Sequence, residues 1–417
     1  MTASTAKANL FTPVMIAGCV IMLVGFGIRA SFGLFQIPIA SEFNWPRAEY
    51  SMAIAIQNLA WGFGQPIFGA IGEKWGDRAA IVLGIITYAI GLALSAFAIT
   101  PEGHQLINVI IGFGVAGTGF GVILAMIGRA TDEKNRSMAL GIATAAGSSG
   151  QLFGPPIVAA LLPNMGWANV FLVMAVAILA VLLVLPLLRG VHAPKKNELE
   201  ETLGQILKKA MRDPSYTLIF LGFFSCGFQL AFITAHFPAM VAEMCGPILP
   251  TGFLASMGIT TTTGLGAIAL AVIGLMNIIG SITAGALGQK FTRKYLLSGI
   301  YTARTIIAVW FIMTPMTPTT VLVFSAIMGA LWLATVPLTS GLVAYIYGLR
   351  YMGTLYGIIF LSHQIGGFLG VWLGGALYDR FGGYEVVWWV GIAVGAFSAI
   401  VHLPVREQPM LAGPRPA

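Results

Sequence analysis

The 417-residue chain is 57% hydrophobic and only 9% charged, and its mean hydropathy is +0.87. Soluble domains carry about a quarter charged residues, so this composition excludes a soluble protein and indicates several helices in a lipid bilayer. A net charge of +7 would suggest nucleic acid as the partner of a soluble protein, but in a membrane protein it reports orientation. We therefore expect no nucleic-acid partner. The three cysteines lack metal-type spacing, so we expect free thiols.

Twelve apolar stretches of roughly 20 residues are long enough to cross about 30 Å of hydrocarbon. In chain order they centre near Gly25, Ala60, Ile90, Gly117, Gly150, Ile178, Phe228, Leu275, Ile306, Gly329, Phe368 and Gly391. The longest charged segment follows the sixth stretch. The sequence therefore predicts an all-α membrane protein with a six-helix bundle at residues 1–190, a cytoplasmic linker with a short interfacial helix at 191–213, and a second six-helix bundle at 214–417.

The positive charges fix an orientation. With the N-terminus in the cytoplasm, 18 of the 22 lysines and arginines lie on or near the cytoplasmic side, and only Arg47 and Arg380 lie outside. The remaining two, Arg29 and Arg304, fall within predicted spans. By the positive-inside rule we expect a multi-pass protein of the cell membrane, the inner membrane in a Gram-negative organism, with both termini cytoplasmic.

The two halves of the chain repeat one another. A shift of 216 residues places GAIGEKWGDR, which starts at Gly69, on GALGQKFTRK, which starts at Gly285. A shift of 200 residues superposes the first predicted span on the seventh, with Phe32 on Phe232. We therefore expect two bundles related by a pseudo-twofold axis, with a ligand between them near the bilayer midplane.

These features resemble the major facilitator superfamily over essentially the whole chain. GAIGEKWGDR after the second span is similar to the signature loop of that superfamily, and Gly154-Pro155 in the fifth span is similar to its glycine-proline motif. The resemblance implies a two-bundle transporter that works by alternating access. It also implies that Glu73, Asp77 and Arg78 of the signature loop form a charge network that gates the cytoplasmic side.

Within the superfamily, the sequence most resembles the monocarboxylate and oxalate/formate branch. The resemblance lies in the pattern at Gln57 and Gln65 and in the segment YGIIFLSHQIGGFLG at 356–370. Oxalate/formate members have a basic residue in the eleventh helix, matched here by His363, and an arginine in the eighth, where this sequence has Ser281. That departure argues against a two-cation clamp for dicarboxylates.

All fifteen acidic residues fall in loops or at membrane boundaries, whereas Arg29 lies near the middle of the first predicted span. An arginine at that depth costs about 2.5–3.5 kcal/mol on insertion scales. Because no carboxylate is left to pair with it, an anionic ligand is its natural counter-ion. The alternative is an arginine bonded to helix carbonyls for structural reasons alone.

Helical spacing and the repeat extend this candidate site. Phe32 shares the face of Arg29, and the repeat places Gln229, Phe232 and His236 on the matching face of the seventh span. We expect Arg29 to bind a substrate anion opposite Gln229, with the two phenylalanines as apolar walls. His236 lies nearer the outer end and is either a proton-coupling residue or an interfacial one.

The C-terminal half supplies the remaining candidates. His363 and Gln364 stand where the repeat predicts glycine and serine, and a histidine with a reference pKa near 6.5 can donate to a carboxylate or carry a proton with it. Arg304 and Asn277 either bind substrate or brace the eighth and tenth spans, and Trp332 either closes the cavity or anchors packing. We expect the amides of Gln57, Asn58 and Gln65 to bond across helices rather than to ligand.

The sequence contains no phosphate loop, nucleotide motif, metal cluster or nucleophile triad, so we expect no enzyme, cofactor or metal. The reading we favour is a secondary transporter of a small organic anion, first a monocarboxylate, with proton symport because His363 is titratable. Three alternatives remain: organic anion exchange, export of amphiphilic drugs, and a transporter-like ligand receptor. We expect a monomer.

Overall fold

The computed structural model of the protein describes residues 10–45, 47–188 and 201–410. These ranges form α-helices, with 3-10 turns at Phe32–Phe35 and Val181–Leu188 and no strand. The helices are α1 (Pro13–Ala30), α2 (Gln36–Phe43), α3 (Arg47–Trp75), α4 (Asp77–Ser95), α5 (Pro101–Thr118), α6 (Phe120–Ala130), α7 (Glu133–Ala180), α8 (Leu203–Arg212), α9 (Pro214–Met244), α10 (Phe253–Ser256), α11 (Thr262–Lys290), α12 (Arg293–Met313), α13 (Pro318–Leu331), α14 (Thr335–Tyr347), α15 (Met352–Phe381) and α16 (Glu385–His402).

Ten helical stretches in the described part of the chain are long and apolar enough to cross a membrane. One of them, Glu133–Leu188, is 56 residues long and holds two predicted spans, because Gly166 interrupts α7 with a φ of 74° that glycine adopts readily. The predicted span around Ala60 lies in α3, which has 29 residues but a more polar middle. The all-α membrane fold is confirmed. Nine single stretches, the two spans within Glu133–Leu188 and the span in α3 make up the twelve predicted spans in the described part of the chain.

Close glycine contacts organise each half in the same way. In the N-terminal half α1 packs against α7, and in the C-terminal half α9 packs against α15. A Cβ at Gly150 would lie 2.0 Å from the carbonyl oxygen of Leu23, and one at Gly227 would lie 1.7 Å from the carbonyl oxygen of His363. Small residues thus allow the backbones to approach within each bundle, as expected for helices packed in lipid.

The two halves meet along two helix pairs, α3 with α15 and α7 with α11. A Cβ at Gly69 would lie 2.4 Å from the backbone of Gly353, and one at Gly141 would lie 2.7 Å from the carbonyl oxygen of Ser281. These contacts lie towards the end of the bundle where α3 and α11 finish and α4 and α12 begin. We call this the basic end, and the charge distribution predicts that it faces the cytoplasm.

A short amphipathic helix, α8, precedes the second half. The Thr202 hydroxyl accepts from the backbone N–H of Gln205, whose side chain accepts from the backbone N–H of Thr202, which completes a capping box. Ile206 and Ala210 are buried on one face of the helix. This helix lies in the predicted interfacial segment, while residues 191–200 of the predicted linker lie outside the described residues.

Candidate functional site

Arg29 lies in the last turn of α1 and is half-buried. Its Nη2 donates to Oδ1 of Asn58 on α3, and its guanidinium carbon lies 4.7 Å from the centre of the Trp61 ring, in cation–π geometry. Its Nε is buried without a hydrogen-bond partner in the described ranges. No carboxylate of those ranges forms an ion pair with Arg29. Its positive charge is instead stabilised by an amide oxygen and an aromatic face.

Asn58 connects Arg29 to the C-terminal half. Its backbone carbonyl accepts from Nε2 of Gln364 on α15 over 3.0 Å, and Oε1 of Gln364 lies 3.0 Å from Nδ1 of His363. A Cβ at Gly62, one turn further along α3, would lie 2.8 Å from Cβ of Gln364, so this approach needs glycine. A chain of hydrogen bonds therefore runs from Arg29 through Asn58 and Gln364 to His363.

Aromatic rings surround both ends of this chain. The His363 ring packs against Phe223 and Phe360, with 5.1 Å between ring centroids in each pair. Phe360 of the C-terminal half also lies 4.7 Å from the ring of Trp61. Trp61 belongs to the N-terminal half, where its ring contacts Arg29. Nε2 of His363 is buried and has no hydrogen-bond partner among the residues described. One ring nitrogen of His363 is therefore engaged by Gln364, and the buried thiol of Cys226 interacts with the same ring.

The structure does not bring Gln229 into contact with Arg29. Nε2 of Gln229 donates to the carbonyl oxygen of Gly391 on α16 over 3.0 Å, within the C-terminal half. His236 lies further along α9, where Nε2 is 2.9 Å from the carbonyl oxygen of Val371. Both side chains are held by backbone carbonyls of neighbouring helices in their own half.

Phe32 and Phe232 pack inside their own halves. The Phe32 ring lies 5.9 Å from the Phe171 ring, and the Phe232 ring lies 5.3 Å from the Trp388 ring. Both phenylalanines are almost fully buried, with exposed fractions of 2% and 3%. The repeat placed them in equivalent positions, but those positions are packing sites and do not form two walls around Arg29.

Arg304 and Asn277 both bond to the break between α13 and α14. Nη2 and Nε of Arg304 donate to the carbonyl oxygen of Leu331 over 2.6 and 3.1 Å, and Nη2 also donates to that of Trp332. Oδ1 of Asn277 accepts from the backbone N–H of Leu333 over 2.9 Å. These bonds satisfy backbone groups that the break leaves without helical partners. These are the contacts that the bracing alternative expects of Arg304 and Asn277, and Trp332 contributes its carbonyl to the same arrangement.

Glu73 links the halves at the basic end. Its carboxylate accepts from the backbone N–H of Thr354 over 2.9 Å and from the hydroxyl of the same residue. In the described ranges, hydrogen bonds between the halves lie from the level of Asn58 to the basic end. They join Asn58 to Gln364, Ser148 to Asn277, Glu73 to Thr354, Arg129 to Leu349 and Lys134 to Gln289. The halves are thus closed together at the basic end.

Asp77 forms an ion pair with Arg129, and both side chains are 5% exposed. Arg129 also donates through Nη1 to the carbonyl oxygen of Leu349 in the other half, over 3.1 Å. Arg78, which the resemblance implies is part of this network, is exposed and has no contact of this kind in the structure as described. The cation that pairs with Asp77 is therefore Arg129. The sequence predicted Arg129 only as one of the 18 basic residues on the cytoplasmic side.

Comparison with known proteins agrees with this architecture. The model of the Major Facilitator Superfamily matches residues 17–262 and again residues 232–417. A variant of the fucose:proton symporter FucP of E. coli superposes with a TM-score of 0.70 at 15% identity, over 93% of this chain and 97% of that one, which shows the shared fold.

Curated relatives extend over nearly the whole chain. The sequence is 26% identical over 394 residues to an uncharacterized MFS-type transporter, YcxA, of Bacillus subtilis, which covers 90% of both chains. It is also 26% identical over 377 residues to monocarboxylate transporter 13 of Rattus norvegicus, over 89% of this chain and 82% of that one. A shorter match, 30% over 142 residues and 34% of this chain, is to the methyl viologen resistance protein SmvA of Salmonella typhimurium. The family match covers more than half of the sequence, and the chain therefore belongs to the Major Facilitator Superfamily of multi-pass membrane transporters.

Proposed function

We propose that the protein carries a small monocarboxylate across the cell membrane by alternating access, as a monomer, with a proton as the coupled ion. The observation that carries the proposal is Arg29: a half-buried guanidinium in the last turn of α1, next to the contact between the halves, paired with an amide instead of a carboxylate. The relatives named as monocarboxylate transporters support the same class of substrate.

The chemistry around Arg29 suits a small planar anion. A guanidinium group binds carboxylates through two parallel N–H···O bonds, and burial strengthens the attraction. Trp61 offers an apolar face beside the cation, and Phe360 from the other half covers that ring. A short monocarboxylate would place its charge on Arg29 and its carbon chain against these rings.

His363 is our candidate for the proton. Its Nδ1 bonds Gln364, and its buried Nε2 is the nitrogen that can accept a proton, beside the thiol of Cys226. The hydrogen-bond chain through Gln364 and Asn58 connects this ring to the anion-binding group.

The test is the internal pH of dye-loaded proteoliposomes after an inward gradient of lactate or pyruvate. We expect acidification that depends on the protein, and we expect Arg29→Gln to abolish it while the variant still folds and inserts. Protein-free vesicles give the passive rate. Uptake by Arg29→Gln at the wild-type rate would overturn the assigned role of Arg29.

Anion exchange is a second candidate, because a carboxylate alone neutralises Arg29. It predicts counterflow in preloaded vesicles without a change in internal pH. Export of amphiphilic drugs has the partial match to SmvA in its favour, and it predicts that replacement of Arg29 is tolerated. A receptor without transport would bind ligand and show no flux in either assay.

A further inference from the structure

Asn58 occupies the edge of Arg29 that a carboxylate would use. Nε and Nη2 lie on one edge of the guanidinium group and form a planar fork that matches two carboxylate oxygens. In the structure Nη2 donates to Oδ1 of Asn58, while Nε on the same edge has no partner among the described residues. A single amide oxygen thus takes half of a two-point binding edge.

We infer that Asn58 is a neutral substitute for the substrate carboxylate, which holds Arg29 when no ligand is bound and is displaced when the ligand arrives. The inference rests on the proposed function, since it takes a carboxylate as the ligand. A carboxylate adds a Coulombic attraction that a neutral amide lacks and can accept from Nη2 and Nε together, so it competes successfully for this edge. Asn58 is a positioning residue that sets the affinity of Arg29.

An amide suits this role because its oxygen accepts a hydrogen bond without carrying a charge. Oδ1 of Asn58 accepts from Arg29 in the unloaded protein. Aspartate has two acceptors and no donor when ionised, so it would hold Arg29 permanently and repel the ligand.

Asn58 also connects this exchange to the other half of the protein. Its backbone carbonyl accepts from Gln364, which in turn bonds His363. This bond is one of the hydrogen bonds that join the halves in the described ranges. Displacement of the Asn58 side chain therefore acts on a residue that joins α3 to α15.

The experiment compares thermal unfolding and pyruvate binding of the full-length purified protein with those of two variants. Asn58→Asp should be more stable than wild type without ligand, and its apparent Kd for pyruvate should rise roughly tenfold or more, because a fixed carboxylate competes for Arg29. Asn58→Ala should be less stable without ligand and should bind pyruvate more tightly, because the ligand then compensates a guanidinium that has lost its partner. The two variants therefore move affinity in opposite directions.

Two controls separate this inference from the proposed function. The gain in stability of Asn58→Asp should vanish in an Arg29→Gln background, and Gln57→Glu, which adds charge to the same helix beside Asn108, should show no such dependence on Arg29. If Asn58→Asp and Asn58→Ala change affinity in the same direction, or not at all, the inference is wrong while the role of Arg29 stands. If the wild type neither binds nor transports lactate or pyruvate, the proposed function fails, and the inference fails with it.

Discussion

Arg29 and Gln364 lie in different halves of the protein and both bond to Asn58, Arg29 to its side-chain oxygen and Gln364 to its backbone carbonyl over 3.0 Å. The group that we assign to anion binding therefore shares a residue with the contact between the halves. In alternating access, such an arrangement lets occupancy of the site bias the equilibrium between two packings.

His363→Gln should separate anion movement from proton movement. Glutamine can still bond Gln364 but cannot take up a proton, so we expect anion counterflow to persist while lactate-driven acidification is lost. Wild-type uptake should rise as the external pH falls, and the variant should lose this dependence. The matched control is His236→Gln, since His236 is already bonded to the carbonyl oxygen of Val371. Acidification by His363→Gln at the wild-type rate would exclude His363 as the proton carrier.

Arg304→Gln should destabilise the fold rather than change substrate affinity. The guanidinium group is fully buried and donates to two carbonyls at the break between α13 and α14. Hydrogen bonds from charged groups contribute about 1.5–3 kcal/mol each, so the variant should unfold at a clearly lower temperature. Arg304→Lys should not restore stability, because an ammonium lacks the planar fork. Normal stability combined with lost pyruvate binding would instead make Arg304 a ligand residue.

Thr354→Val should weaken closure at the basic end. It removes the hydroxyl that donates to Glu73 and leaves a half-buried carboxylate with one hydrogen bond fewer. A hydrogen bond to a charged group of about 1.5–3 kcal/mol corresponds to a shift of roughly tenfold or more in the closed-to-open equilibrium. The measurement is cross-linking between cysteines placed at Lys134 and Gln289, which are both exposed and hydrogen-bonded across the halves, with the three native cysteines replaced by serine. Thr283→Val, at an exposed position of α11, should leave the yield unchanged, and an unchanged yield in Thr354→Val would show that Glu73 does not hold the halves together.

The fold was predictable because hydropathy and charge act locally. Each span is a run of apolar residues of the required length, so its existence does not depend on which helix it contacts. Arg29 was predictable for the same reason, since a cation within an apolar run is conspicuous without any knowledge of its neighbours.

The partners of Arg29 were not predictable in the same way. Asn58 carries no sequence signal that distinguishes it from Gln57, which bonds Asn108 within its own half. The sequence analysis did not identify Trp61 as a partner of Arg29. Its position one turn after Gln57, in a polar stretch of α3, is the signal that could have identified it. The repeat also misled: Gln229 is the counterpart of Arg29 in sequence, but its amide bonds α16. Side-chain direction depends on local packing, which the repeat does not preserve.

Gly154→Ala should impair anion binding from a distance, through the position of α1. A Cβ at Gly154 would lie 2.3 Å from the carbonyl oxygen of Gly27, two residues before Arg29, so α1 must move away from α7. Overpacking of this kind costs about 1–3 kcal/mol, and the shift would draw Arg29 away from Asn58. We expect weaker pyruvate binding and slower uptake, measured beside Gly375→Ala, where an added methyl group meets no atom within 4 Å. Wild-type affinity and unfolding temperature in Gly154→Ala would show that α1 can adjust without moving the guanidinium group. The position of that group would then depend on its contacts with Asn58 and Trp61 of α3.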